Sequence, residues 1–178
     1  MTEALLVLSK FIYLLSATLA IGQLLSLAFF TKNTNGLIKS ENKELIIRTS
    51  TYAWIWFAST IFFLISTLAS VLEVSFSQAL DLTTLRSFVT QISLGKSLAI
   101  QALGALVIAV WIRGVRKVNY VVLNLILALV ALSAPIFQSH SASGGSHLVA
   151  IGTLMVHVLA LTMWVGGLLA VVANNNID

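Results

Sequence analysis

Three histidines lie close together near the end of the chain, and they are its only side chains with an ordinary pKa near neutrality. His140 and His147 bracket the segment Ser-Ala-Ser-Gly-Gly-Ser, whose two glycines let the backbone fold sharply. Two imidazoles can then converge, and neutral imidazole is a good ligand for copper, zinc and nickel. The pattern predicts capture of a metal ion here, although ordinary histidines at a helix boundary would give the same sequence.

His157 follows His147 by ten residues, which places it about 15 Å deeper along a helix, near the middle of a membrane. An ionisable side chain at that depth is costly unless it faces the bundle interior or a polar cavity. Receipt of a metal ion and a hydrogen bond between helices both remain open for His157. Trp164 lies close to two helical turns further on and shares the face of His157. We predict that this face points into the protein.

Other residues inside apolar segments have simpler interpretations. Gly166 and Gly167 predict close approach of a neighbouring helix backbone. Lys10 and Lys96 lie near the outer ends of their segments, where a lysine can extend its ammonium group to the membrane surface. We favour structural or lipid-headgroup contact for both lysines over a role in screening a cation path.

The elements that position these residues follow from the composition. Apolar residues make up 58% of the 178 residues and charged residues only 9%, and the mean hydropathy is +1.00. Soluble domains carry roughly 25% charged residues, so this chain lacks the surface of a soluble enzyme, a nucleic-acid-binding module or a disordered protein. It contains no cysteine, which excludes disulfides, thiolate metal sites and iron–sulfur clusters. We predict an all-α protein of the lipid bilayer.

Five apolar segments are long enough, or nearly so, to cross the roughly 30 Å hydrocarbon core. They are Ala4–Phe30, Tyr52–Leu72, Ser93–Ile112, Tyr120–Phe137 and Leu148–Ala173. The sequence therefore predicts a polytopic transmembrane helix bundle.

Charge in the loops predicts the orientation, because cytoplasmic loops are enriched in Lys and Arg. Seven basic residues lie in the first and third loops, whereas the second loop has only Arg86 and the fourth has none. The N-terminus and the even-numbered loops are therefore predicted to lie outside. Aromatic residues at the inner end of the second and neighbouring spans indicate an interfacial belt. These residues are Tyr52, Trp54, Trp56, Trp111 and Tyr120.

Enzymatic and haem-binding roles are not expected. Recognisable nucleophile elbows, phosphate-binding glycine loops and paired catalytic carboxylates are absent from the sequence. A haem held between two axial histidines is also not expected, because only His157 lies deep in a predicted span and no second helix supplies a partner.

The run from Pro135 to Leu168 closely resembles the copper resistance protein D (CopD) family. That family has a histidine after the fourth span, a second histidine entering the fifth, and then a His-x6-Trp-x-Gly-Gly signature. The positions that match are His140, His147, His157, Trp164, Gly166 and Gly167. Earlier segments are similar as well, including Lys96, where relatives often have arginine. Ser139 departs from the pattern, since relatives usually have glycine there.

This resemblance implies a multi-pass protein of the bacterial plasma membrane that takes up or delivers copper ions. It also implies a periplasmic or extracellular copper-binding donor protein as a partner, and sometimes a fused domain like cytochrome oxidase assembly factors. Residues 1–178 are then a single CopD-like transmembrane domain, expected to be incomplete at the C-terminus because relatives usually have more spans. Two alternatives stay open: a structural or assembly protein without stoichiometric metal, and a transporter of another cation.

Overall fold

The computed structural model describes residues 2–139 and 147–174, which form a bundle of long apolar helices. Five helices within these residues are long and apolar enough to cross a membrane, which confirms the predicted fold class. The long helices are α1 (Thr2–Leu25, continued as a π-helix over Ser26–Phe30), α2 (Lys43–Val71), α4 (Ser93–Trp111), α5 (Val118–Ser139) and α6 (His147–Asn174). A short helix, α3 (Leu82–Gln91), lies between α2 and α4.

The first helix is the centre of the packing. α1 contacts α2, α5 and α6, and α4 packs against α2 and α5. Its fully buried residues include Ala17, Ala20, Ile21 and Leu24. Two small alanines on that face let neighbouring helices come close, which is how helices associate in a membrane.

Hydroxyl groups connect the helices within this apolar core. The hydroxyls of Ser16 in α1 and Ser59 in α2 lie 3.1 Å apart. Ser50 in α2 donates to the carbonyl oxygen of Ala109 in α4 at 2.7 Å, and Arg113 Nε donates to the Ser50 hydroxyl at 2.8 Å. A buried polar group without a partner is costly, so these bonds fix the register between α1, α2 and α4.

The first loop folds as a hairpin that the sequence analysis did not predict. Strands β1 (Asn33–Thr34) and β2 (Leu37–Ile38) pair antiparallel around Asn35 and Gly36, whose φ angles are 53° and 76°. Two positive φ angles define the turn that Asn-Gly favours. The hairpin also contacts the third loop, because the Ile38 amide donates to the Arg116 carbonyl at 2.9 Å. The two basic loops therefore lie at the same end of the bundle.

The second helix is longer than the predicted span, since it begins at Lys43 and not near Tyr52. Hydropathy detects only the apolar part of a helix, and polar residues continue the same helix beyond it. One consequence is a correction: Trp56 is fully buried in the core and does not belong to an interfacial belt. Trp54 is 39% exposed, and the rings of Trp111 and Tyr120 lie 6.3 Å apart at the end of the bundle that carries the basic loops.

Candidate metal-binding hairpin of α5 and α6

The predicted capture pair lies at the turn between the last two helices. α5 ends at Ser139 and α6 begins at His147, both at the end of the bundle opposite the basic loops. His140 and the rest of the turn lie outside the described residues, as does the side chain of His147. Their convergence on a metal ion therefore stays a prediction.

Gly166 makes the close backbone approach that the sequence predicts, whereas Gly167 meets only a side chain. Gly166 lies against the backbone of α1 at Gly22, where a Cβ on Gly22 would stand only 2.7 Å from Gly166 Cα and closer still to the Gly166 carbonyl. A Cβ on Gly166 would likewise collide with the Thr18 carbonyl, while one on Gly167 would meet only the end of the Leu25 side chain at 3.0 Å. The glycines thus create a backbone-to-backbone contact between α1 and α6, which we call the glycine seam.

The face of α6 that carries His157 points away from this seam. His157 is exposed, and Trp164 is 67% exposed on the same side of the helix. The prediction that this face points into the protein is therefore wrong for the described chain. Helical spacing indicates which residues share a face but not which face is packed, and here the small residues Thr162, Gly166 and Ala170 face the bundle.

No group of three or more His, Cys, Asp or Glu side chains able to hold a metal ion occurs within residues 2–139 and 147–174. His157 therefore does not belong to a group of three or more such side chains in the part of the chain that is described. The same face of α6 carries apolar residues such as Leu161 and Leu168, both about half exposed.

Lys96 occupies an exposed position one turn into α4, and Lys10 is also exposed, in α1. Both positions are compatible with the expected extension of the ammonium group to the membrane surface. Next to Lys96, Gly95 permits close packing of α3, since a Cβ there would stand 2.8 Å from the Phe88 ring. Lys96 therefore lies where α3 meets α4.

A polar cavity at the other end of the glycine seam was missed by sequence reasoning. It has a volume of about 480 Å³ and lies between the π-helix of α1, the start of α2 and the end of α6. Asn174 Nδ2 donates to the Ser26 hydroxyl at 3.0 Å beside it. Its two carboxylates are already engaged, because Glu41 pairs with Lys39 at 3.4 Å and Glu44 with Arg48 at 3.2 Å. The only sequence feature that could have indicated this cavity is the pair of carboxylates, Glu41 and Glu44, within the basic first loop.

Comparison with known proteins identifies a family for the chain and agrees with its membrane architecture. No curated protein and no solved structure matches the chain. The family model described as copper resistance protein D-like, N-terminal domain, matches residues 1–149. The matched range includes His140 and His147, whereas His157, Trp164, Gly166 and Gly167 lie beyond it. Since the match covers most of the chain, this multi-pass membrane protein belongs to the copper resistance protein D family.

Proposed function

We propose that the protein binds copper at the outer face of the plasma membrane and passes it into or across the bilayer. The observation that carries this proposal is the family match over residues 1–149, which contains both loop histidines. The ion is cargo in this proposal, and no enzymatic step is involved. A copper-binding protein outside the membrane is the expected donor.

The chemistry of the α5–α6 hairpin supports a nitrogen-ligand site. Residues 118–177 contain no Asp, Glu, Lys or Arg, so the histidines are the only groups there that titrate near neutrality. Imidazole ligates copper only in its neutral form, and Cu(II) binds nitrogen ligands more tightly than the other divalent first-row ions do. Capture by His140 and His147 should therefore weaken as the pH falls below about 6.5, the ordinary pKa of histidine.

The position of His157 modifies the route that the sequence suggests. It lies ten residues after the first residue of α6, about 15 Å along the helix, on the face that α1 does not cover. A charged or metal-binding side chain at membrane depth is stable only where protein or water shields it from lipid. We infer that His157 receives copper at a surface of α6 that is completed by further protein, and not inside the five-helix bundle.

The exposed face of α6 also favours a second candidate function, that of a scaffold for another membrane protein such as an oxidase-assembly domain. Trp164 is 67% exposed, and Val156, Leu161 and Leu168 extend the same apolar surface. In this alternative His157 hydrogen-bonds to a partner helix, and the purified protein holds no stoichiometric copper.

The first experiment measures copper per protein after loading under reducing and oxidising conditions. The native chain is compared with His140→Ala, His147→Ala and His157→Ala, and Ser146→Ala is the matched control in the same turn. The transport proposal predicts near-stoichiometric copper that is lost with either loop histidine and kept in the serine variant. A native protein that retains no copper under either condition would refute capture and support the scaffold.

A second experiment separates capture from transfer. His157→Ala should lower copper accumulation by intact cells while leaving copper bound to the purified protein nearly unchanged. Equal loss of both quantities would show that His157 belongs to the capture site. Competition by Zn(II) and Ni(II) in the same assay tests whether the cargo is another cation.

A further inference from the structure

An apolar groove opens on the membrane-facing side of the bundle, between α2, α3 and α4. It has a volume of about 360 Å³, and all ten side chains that line it are apolar. Leu64 and Ala102 form its buried floor, while Ile61 and Leu103 at its edges are 37% and 60% exposed. The groove is therefore a recess in the surface that meets the hydrocarbon of the membrane.

The short helix α3 forms one wall at the end of the groove where α4 begins. Its residues Leu85 and Val89 line the groove, and Phe88 is buried against Gly95 of α4. Asp81 caps α3 by accepting a bond from the Thr84 amide at 2.9 Å. This cap and this packing hold α3 in place over α4, so the wall is a fixed part of the fold.

Two cations lie at the same end of the groove. Lys96 precedes Ala99 and Leu103 by three and seven residues, so it continues the groove-lining stripe of α4 one turn outward. Arg86 is the neighbour of Leu85 in α3. Both side chains are exposed, and neither makes an ion pair with another described residue. An apolar groove thus ends in unpaired positive charge.

We propose that this groove binds one acyl chain of an anionic phospholipid, with the headgroup phosphate held by Lys96 and Arg86. The arrangement matches an amphiphile with a long apolar part and an anionic end. A ligand with polar groups along its length would leave those groups without hydrogen-bond partners among the apolar lining. The site is separate from the α5–α6 hairpin and does not depend on the copper proposal.

The test measures phospholipid retained by the purified protein in nanodiscs that contain phosphatidylglycerol and phosphatidylcholine with the same acyl chains. The native protein is expected to retain phosphatidylglycerol in preference to phosphatidylcholine through delipidation, as measured by native mass spectrometry. Each of Lys96→Gln and Arg86→Gln should lower that preference by about five-fold, the effect of one basic residue at a membrane surface. Lys10→Gln is the matched control, because Lys10 is an exposed lysine in another span.

The groove itself is tested by Ala99→Phe, which should reduce retention of both lipids. Far-UV circular dichroism and a monodisperse elution profile establish that each variant is folded, and Ala99→Leu replaces the phenylalanine variant if it is not. Native protein without a preference for phosphatidylglycerol would overturn the proposal, and this outcome requires no variant. An effect of Lys10→Gln equal to that of Lys96→Gln would also overturn it, since the contribution would then be general surface charge.

Discussion

Replacing Gly22 by alanine should separate α1 from α6. The added Cβ would stand 2.7 Å from Gly166 Cα, whereas ordinary contacts of a Cβ begin at 3.4 Å. The helices must therefore move apart by at least 3.4 − 2.7 = 0.7 Å, and further to clear the carbonyl of Gly166. No rotamer change relieves this contact, because the obstacle is backbone.

The expected cost combines two opposing terms. Overpacking of a tight contact costs about 1–3 kcal/mol, and the upper half of that range applies because both sides are backbone. Alanine is intrinsically better than glycine in a helix by roughly 0.5–1 kcal/mol, which offsets part of the cost. We expect Gly22→Ala to lower the free energy of unfolding by about 1–2.5 kcal/mol.

Two glycines of α6 provide the controls. Nothing lies within 4 Å of a Cβ built on Gly152, so Gly152→Ala should be neutral or stabilise the protein by up to about 1 kcal/mol. Gly167→Ala meets only the flexible end of Leu25 and should cost less than Gly22→Ala.

Unfolding by a denaturing detergent in mixed micelles, followed by circular dichroism, measures the differences. A Gly22→Ala protein as stable as the native one would refute the glycine seam. So would a Gly152→Ala protein that loses as much stability as Gly22→Ala.

Three further predictions concern the polar groups and the orientation. Ser50→Ala removes the bond from α2 to α4 and should lower the unfolding free energy by about 1 kcal/mol in the same assay, and no change would mean that the bond is not formed. The Thr84 amide holds the pKa of the Asp81 carboxyl below its usual range. The cap of α3 should therefore be fully present above the ordinary carboxyl pKa of about 3.9 and be lost as the pH falls through the lowered value. The protection of α3 amides from hydrogen exchange, expressed relative to the intrinsic exchange rate at each pH, should fall only at that acidic pH, and a loss of protection near neutrality would contradict the assignment. Because the chain has no cysteine, Ser87→Cys and Lys39→Cys can each report the orientation of one loop. An impermeant maleimide added from outside should label only Ser87→Cys. Labelling of Lys39→Cys alone would show that the topology is inverted.

The number and approximate position of the spans could be predicted because membrane crossing depends on length and hydropathy, which any sequence displays. The packing role of Gly166 was predictable because a glycine inside a span often permits close approach of another helix backbone, although Gly152 and Gly167 show that not every such glycine does so. The basic loops also identified the end of the bundle that they share.

Other features depend on packing between helices, which the sequence of a single helix does not reveal. His157 is exposed because α1 packs against the opposite face of α6, which carries small residues. Trp56 was misplaced because α2 begins at Lys43, so this tryptophan lies well inside the helix. α3 was missed because its ten residues mix apolar and polar side chains, and a hydropathy search for spans passes over so short a segment.

The glycine seam has a consequence for how the chain is made. Gly22 and Gly166 are 166 − 22 = 144 residues apart, so all the residues between them must leave the ribosome before the two glycines can meet. Until then, the face of α1 that later holds α6 is covered by lipid or by a chaperone, while α2, α4 and α5 can already assemble around it. Docking of α6 therefore follows the synthesis of the other four spans, and it also brings the histidine-bearing hairpin into its final place. A chain stalled before residue 166 should accumulate as a four-span intermediate without that hairpin.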